Sequence, residues 1–166
     1  KRLLDGKDDP GGLAVATKLK NNAAINNTAI NRVDNAKSLL EMQYDTLIHA
    51  SSVISEMETI QDTFNSEGGR GGPNVSTLED KFSDLYNLLR YNLGTQGIAG
   101  SGIFYRADMT VQTTTNSSSG LILDGIHYEG IILPNSGLNQ KGVSGIDSSD
   151  SDLSAALTRV TSEISR

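Results

Sequence analysis

Apolar residues recur in the amino-terminal part of the chain at Leu13, Ala16, Leu19, Ala23, Ile30, Val33, Ala36, Leu40, Leu47, Ala50, Ile54, Met57, Ile60 and Phe64. From Val33 onward the steps are three or four, apart from one gap at Gln43 and Tyr44. That is the spacing of an a/d heptad seam. No proline or glycine interrupts Leu13 to Phe64, so the pattern predicts one helix from about Gly11 to Phe64. A helix of about fifty residues spans about 75 Å at 1.5 Å per residue. Such a helix is not stable alone in water, and other helices must cover its seam. Pro10 suits a first helical turn, where its missing N–H is not needed. Asp8 and Asp9 stand where a helix dipole favours negative charge, and either can cap. The stretch Asn21 to Asn31 is rich in asparagine, a weak helix former, and is the expected place for a break or bend.

The period then changes several times. Asn65 to Ser76 (NSEGGRGGPNVS) holds four glycines and a proline and reads as a turn that reverses the chain. A second helix is predicted from about Thr77 to Leu93, with Ser76 as its cap and Glu79 completing a capping box. Its apolar face would be Leu78, Phe82, Leu85, Leu88, Leu89 and Tyr86, laid against the long helix as an antiparallel hairpin. Ile103 to Thr113 carries β-branched and aromatic residues in partial alternation, Asn116 to Gly120 reads as a turn, and Leu121 to Leu133 supplies one or two more strands. A last helix begins near Asp150, marked by Leu153, Ala156 or Leu157, Val160 and Ile164. It runs to Arg166 in mid-pattern without a stop signal, and the chain opens on Lys1, so the sequence reads as a piece trimmed at both ends. The expected fold is mainly α: an elongated antiparallel helical bundle with a long N-terminal helix, a returning helix, a small β-hairpin unit and a C-terminal helix. Residues 1–93 and 150–166 would form the helical core, and 94–149 a small β unit of the same domain.

Composition agrees with a thin core. Apolar residues make up 36% of the 166, aromatics 5%, and there is no tryptophan. A spherical core of ordinary density is hard to fill with so little, whereas a narrow helical seam needs less. The net charge of −6 leaves nothing to neutralise a run of phosphates or an anionic lipid surface. No apolar run approaches the roughly 18 residues of a membrane span, and no signal-peptide pattern opens the chain. Without cysteine, disulfides and thiolate metal sites are impossible.

Candidate chemistry is sparse. His49 lies off the heptad seam of the long helix and reads as a solvated surface residue. His127 stands near Asp124 and Glu129, which could form a weak metal site, but ligand spacing of this kind is common by chance. The serines lack a nucleophile-elbow context. The glycines from Gly68 to Gly72 lack the Lys-Ser or Lys-Thr of a phosphate loop. Asp5, Asp8 and Asp9 lack the spacing of a calcium loop, and Asp147 to Asp152 reads as a helix start. No catalytic, cofactor-binding or metal residue emerges, and an enzyme is not expected.

The opening run DGKDDPGGLAVATKLKNNAAINNTAINRVDNAKSLLE resembles the amino-terminal part of bacterial flagellin. Asp8, Asp9, Gly12, Leu13, Ala14 and Ala16 take the places of the family's D-D-A-A-G-x-A-I-A run. Asn31, Arg32, Val33, Asp34, Asn35 and Ala36 echo its R-N-A-N-D-G. Leu47, Ala50, Ile54, Met57 and Ile60 match the apolar ladder that follows. The second helix and the β unit look like the returning helix and hairpin of the filament core domain. The run ALTRVTSEIS near the end resembles the start of its carboxy-terminal helix. The likeness is strong from Asp5 to Gln61, weaker to Leu93, and slight beyond except over the last twenty residues.

The resemblance implies a secreted structural subunit of the extracellular bacterial flagellar filament, polymerising through its helical core for motility. Its partners would be other subunits of the same kind, the flagellar export apparatus and flagellin chaperones, and the filament cap and hook-junction proteins, with no cofactor, nucleic acid or membrane. Asp8, Asp9, Leu13, Arg32, Asp34 and Asn35 would contribute to subunit packing. The terminal segments of the filament's inner tube are missing, so the chain as it stands should not polymerise. Outer domains have almost no room between Leu133 and Asp150. At the positions of the segment read by the vertebrate innate immune receptor stand Glu56, Met57, Glu58 and Ile60, with glutamates where the family carries arginines, so receptor activation should be weak or absent. Two alternatives remain open. The DDP at Asp8 to Pro10 leans toward a hook–filament junction protein. The polar runs Thr113 to Ser119 and Asn135 to Gln140 would suit a flagellin-like surface protein that binds polysaccharide.

Overall fold

A computed structural model describes residues 9–95, 97–98, 101–104, 108–114, 120–126 and 150–166. The protein is mainly helical, with a long N-terminal helix, a returning helix, small antiparallel strand pairs and a C-terminal helix. In chain order the elements are α1 (Pro10–Ser66), a 3-10 turn (Gly69–Gly71), α2 (Val75–Thr95), β1 (Gly97–Ile98), β2 (Ser101–Gly102), β3 (Met109–Gln112), β4 (Gly120–Leu123) and α3 (Asp150–Ile164).

Helix α1 begins at Pro10, where the ring's missing N–H is harmless. The Asp9 carboxylate accepts the Gly12 amide at 2.8 Å, so Asp9 is the residue that caps. Asp8 lies outside the described residues. The expected break between Asn21 and Asn31 does not occur: α1 runs through it without interruption. Each asparagine costs no more than about 0.7 kcal/mol relative to alanine, well short of the cost of a proline. Ala23, Ala24 and Ala29 offset that, and Thr28 satisfies its hydroxyl on the Ala24 carbonyl at 2.9 Å without leaving the helix.

The chain reverses after Ser66. Gly68 at φ 99° lies in the left-handed region, which side chains with a Cβ disfavour. Helix α2 starts earlier than the sequence pattern predicts. The Leu78 amide donates to the Asn74 carbonyl at 3.0 Å, which puts Ser76 inside the first turn and removes it as a cap. Pro73 fixes the backbone just before, and the Asn74 side-chain amide donates to the Glu67 carboxylate at 3.1 and 3.2 Å, closing the turn. At the far end of the hairpin His49 of α1 meets Asn92 of α2 at 3.2 Å. The two pairs lie at matched distances from the turn, so α2 returns antiparallel to α1.

Two compact units divide the chain. One holds α1 as far as Ser38 with the strand pair β3–β4, in which Met109 opposes Leu123 and Val111 opposes Leu121. Its buried apolar residues, among those described, are Ala36 and Val111. The other holds α1 from Leu39, α2, β1–β2, Ile103, Phe104, Ile126 and α3. Here one cluster joins Leu47, Ala50, Ile54, Met57 and Phe64 of α1 to Leu78, Phe82, Leu89 and Leu93 of α2 and to Leu153, Ala156 and Val160 of α3. The heptad seam is real in this unit, and its gap is filled by a polar residue. Gln43 is buried and donates from Nε2 to the Ile103 carbonyl at 2.6 Å, and Gln61 is buried one turn before Phe64. Leu88, expected on the packed face of α2, is exposed. One residue before Leu89, it points about 100° around the helix from the Leu78, Phe82, Leu89 and Leu93 line that meets the core.

Candidate subunit interface

The residues expected to pack between subunits are spread along the first half of α1. Beyond its cap, Asp9 is exposed, as are Leu13, Arg32, Asp34 and Asn35. Arg32 reaches the end of β3: its Nη1 donates to the Gln112 carbonyl at 3.3 Å, with the Gln112 side-chain oxygen at 3.5 Å. This ties the helix to the hairpin within that unit and flanks a shallow hollow of about 320 Å³ lined by Ala24, Thr28, Ala29, Arg32, Gln112 and Thr113. Nothing in the hollow converges as a catalytic group would.

The more informative feature is what covers α1 and what does not. From Pro10 to Thr28 every residue is exposed. Leu13, Val15 and Leu19 keep 54%, 59% and 63% of their surface. Ile30, Val33 and Leu40, on the seam by sequence, are exposed as well. The seam pattern therefore extends well beyond the part of it that other elements cover. At 3.6 residues per turn, Val15, Leu19 and Ala23 stack on one face with Ala16 beside them. Lys18 and Lys20 fall on either side of that face. The sequence pattern did not single out Val15, Lys18 or Lys20, because the heptad register there does not match the register of the buried seam. Reading three- and four-residue steps from Val15 instead of Leu13 would have found the face.

The segment matching the family's immune-receptor stretch is split by burial. Met57 is fully buried and Ile60 nearly so, Glu56 is exposed and Glu58 half-buried. Its apolar members belong to the core and its outward surface is acidic. His49 is exposed against Asn92, and Asp124 pairs with Arg166 at 3.2 Å, both side chains largely exposed. His127 and Glu129 lie outside the described residues. Among the described residues no three metal-ligating side chains gather, and no described helix is long and apolar enough to cross a membrane. Comparison with protein-family models, with curated proteins and with solved structures finds no match.

Proposed function

We propose that this chain is the core of a flagellin-type structural subunit, exported from a bacterium and assembled with like subunits into the flagellar filament. The observation that carries the reading is the division of α1. From Leu47 to Phe64 it supplies the main core, while from Pro10 to Thr28 the same uninterrupted helix exposes every apolar side chain. A helix segment that cannot cover its own apolar face gains stability when another molecule covers it. Side-by-side subunit packing supplies such a cover, and the heterologous contacts of an open helical assembly suit a polymer. The resemblance of Asp5 to Gln61 to the flagellin amino-terminal region supports the same reading, and so does a helical seam without cysteine or tryptophan, which suits export of an unfolded chain. The role assigned is structural, with subunit contacts in place of an active site. Immunogold labelling with antibodies raised against this chain tests it: gold along the length of flagellar filaments is expected. Gold confined to the hook–filament boundary assigns the chain to the junction instead, and unlabelled filaments overturn the proposal.

A further inference from the structure

The turn between α1 and α2 sets an arginine among glycines, in the order Gly68, Gly69, Arg70, Gly71 and Gly72. Arg70 is exposed, and no residue of the 3-10 turn is buried. A Cβ at Gly71 would meet nothing within 4 Å, so the backbone just after Arg70 faces open space. Gly68 and Gly69 sit at φ 99° and 60°, from which a glycine straightens without steric cost. The Gly71 and Gly72 amides donate to the Gly68 and Gly69 carbonyls at 3.3 and 3.0 Å. At the base of the loop the Asn74 amide donates to both oxygens of the Glu67 carboxylate, a clasp that joins the two ends. Among the described residues, every other lysine or arginine with a residue after it lies inside α1, α2 or α3. There a run of backbone hydrogen bonds must break before any one peptide bond can be drawn out straight.

We propose that the Arg70–Gly71 bond is a processing site for an arginine-directed endopeptidase, gated by the Glu67–Asn74 clasp. Such an enzyme takes its substrate as an extended strand and holds the basic side chain in a pocket with an acidic floor. Arg70 supplies the base, and the glycines on either side let the strand form. Pro73 lies two residues beyond Gly71 and clear of the bond. Hydrolysis adds one water across the amide: Arg70 keeps the new carboxylate and Gly71 the new amine. Exposed loop tips of small residues are where nicking concentrates. Cleavage follows the fraction of molecules with the loop open when reclosing is fast, and the clasp sets that fraction. The two pieces stay together, because Ile54, Met57 and Phe64 of α1 remain buried with Leu78, Phe82 and Leu89 of α2. The nick therefore turns a covalent hairpin into a two-chain assembly whose stability depends on concentration. The site is independent of the reading of the chain as a filament subunit.

Limited digestion of the full chain with trypsin tests it, read by intact-mass spectrometry and size-exclusion chromatography. A cut after Arg70 is expected ahead of any cut inside α1, α2 or α3. Its products, residues 1–70 and 71–166, should elute together under native conditions and separate in denaturant. Asn74→Asp keeps a residue type that caps α2 but replaces the clasp's donor with a second carboxylate. It should speed the cut about threefold or more, since the loop then opens more often. Circular dichroism confirms that the variant keeps its helices. A first cut inside one of the three helices, products that elute apart, or an Asn74→Asp rate equal to that of the wild type overturns the proposal.

Discussion

The hydrogen bond from Gln43 to the Ile103 carbonyl allows a worked prediction. Gln43 sits on the α1 seam at 7% exposure, and Ile103 at 1%. At 2.6 Å the bond joins two groups that water does not reach. Gln43→Ala leaves the carbonyl unpaired, which costs about 1–3 kcal/mol. It also removes buried methylenes worth about 0.8 kcal/mol each. The expected loss is about 2–4 kcal/mol. Gln43→Leu keeps the volume and adds apolar surface worth about 1–2 kcal/mol, offsetting much of the unpaired carbonyl. Its expected loss is about 0–1.5 kcal/mol. Urea denaturation followed by circular dichroism reads the difference: at m values of about 1–3 kcal/mol/M, the alanine variant loses roughly 1 M or more of midpoint. Hydrogen exchange reads the mechanism. In both variants the Phe104 amide should exchange faster, because the bond holds this stretch against the helices. An alanine variant with its midpoint within about 0.3 M of wild type, or a leucine variant in which Phe104 keeps full protection, refutes the reasoning.

Three further outcomes are expected. Phe64→Ala, at a site with no exposed surface, should lower stability by about 3–5 kcal/mol, whereas Leu19→Ala on the uncovered face should change it by no more than about 0.5 kcal/mol; equal losses in thermal denaturation would contradict the assignment of the core to the second half of α1. Asp9→Ala should cost about 1 kcal/mol of helix stability and speed exchange of the Gly12 amide, while Asp9→Asn retains the cap; an unchanged Gly12 amide in the alanine variant removes Asp9 from that role. In a reporter-cell assay for the vertebrate flagellin receptor, the chain should signal weakly or not at all, because Met57 and Ile60 are buried and Glu56 faces outward; strong signalling at low dose contradicts this.

The fold was legible wherever burial and periodicity agree. The spacing of Leu47, Ala50, Ile54, Met57, Ile60 and Phe64 places α1's core face correctly because each step is three or four and each side chain ends at low exposure. Leu153, Ala156 and Val160 mark α3 for the same reason. The start of α2 was not legible, because the Ser76–Glu79 pair imitates a capping box while Asn74 and Glu67 settle the turn through a contact across the reversal. The continuity of α1 through its asparagines was missed because propensity acts residue by residue and small penalties do not break a helix. Gln43 looked like a gap, since no local signal shows that a carbonyl sixty residues later awaits its amide. The candidate interface was half legible. Apolar spacing names Leu13 and Leu19, but which seam positions stay uncovered depends on where the other helices lie.

That last point separates the two halves of α1 physically. From Leu39 on, the helix is held by burial: its seam residues meet α2 and α3, and buried polar side chains at Gln43 and Gln61 make the packing specific. A polar residue at a seam position lowers stability but penalises every register in which it would go unpaired. Before Ser38 the helix has a cap at Asp9, a tie through Arg32 and little buried apolar surface. Propagation from the buried half can keep such a segment helical, since each added residue gains a hydrogen bond without a new nucleus. Propagation does not account for leucines and valine on its surface beside Lys18 and Lys20. A sequence selected only for a stable, soluble helix would carry polar residues there. The same chain thus holds one helix face buried in its own core and another that the described elements leave uncovered.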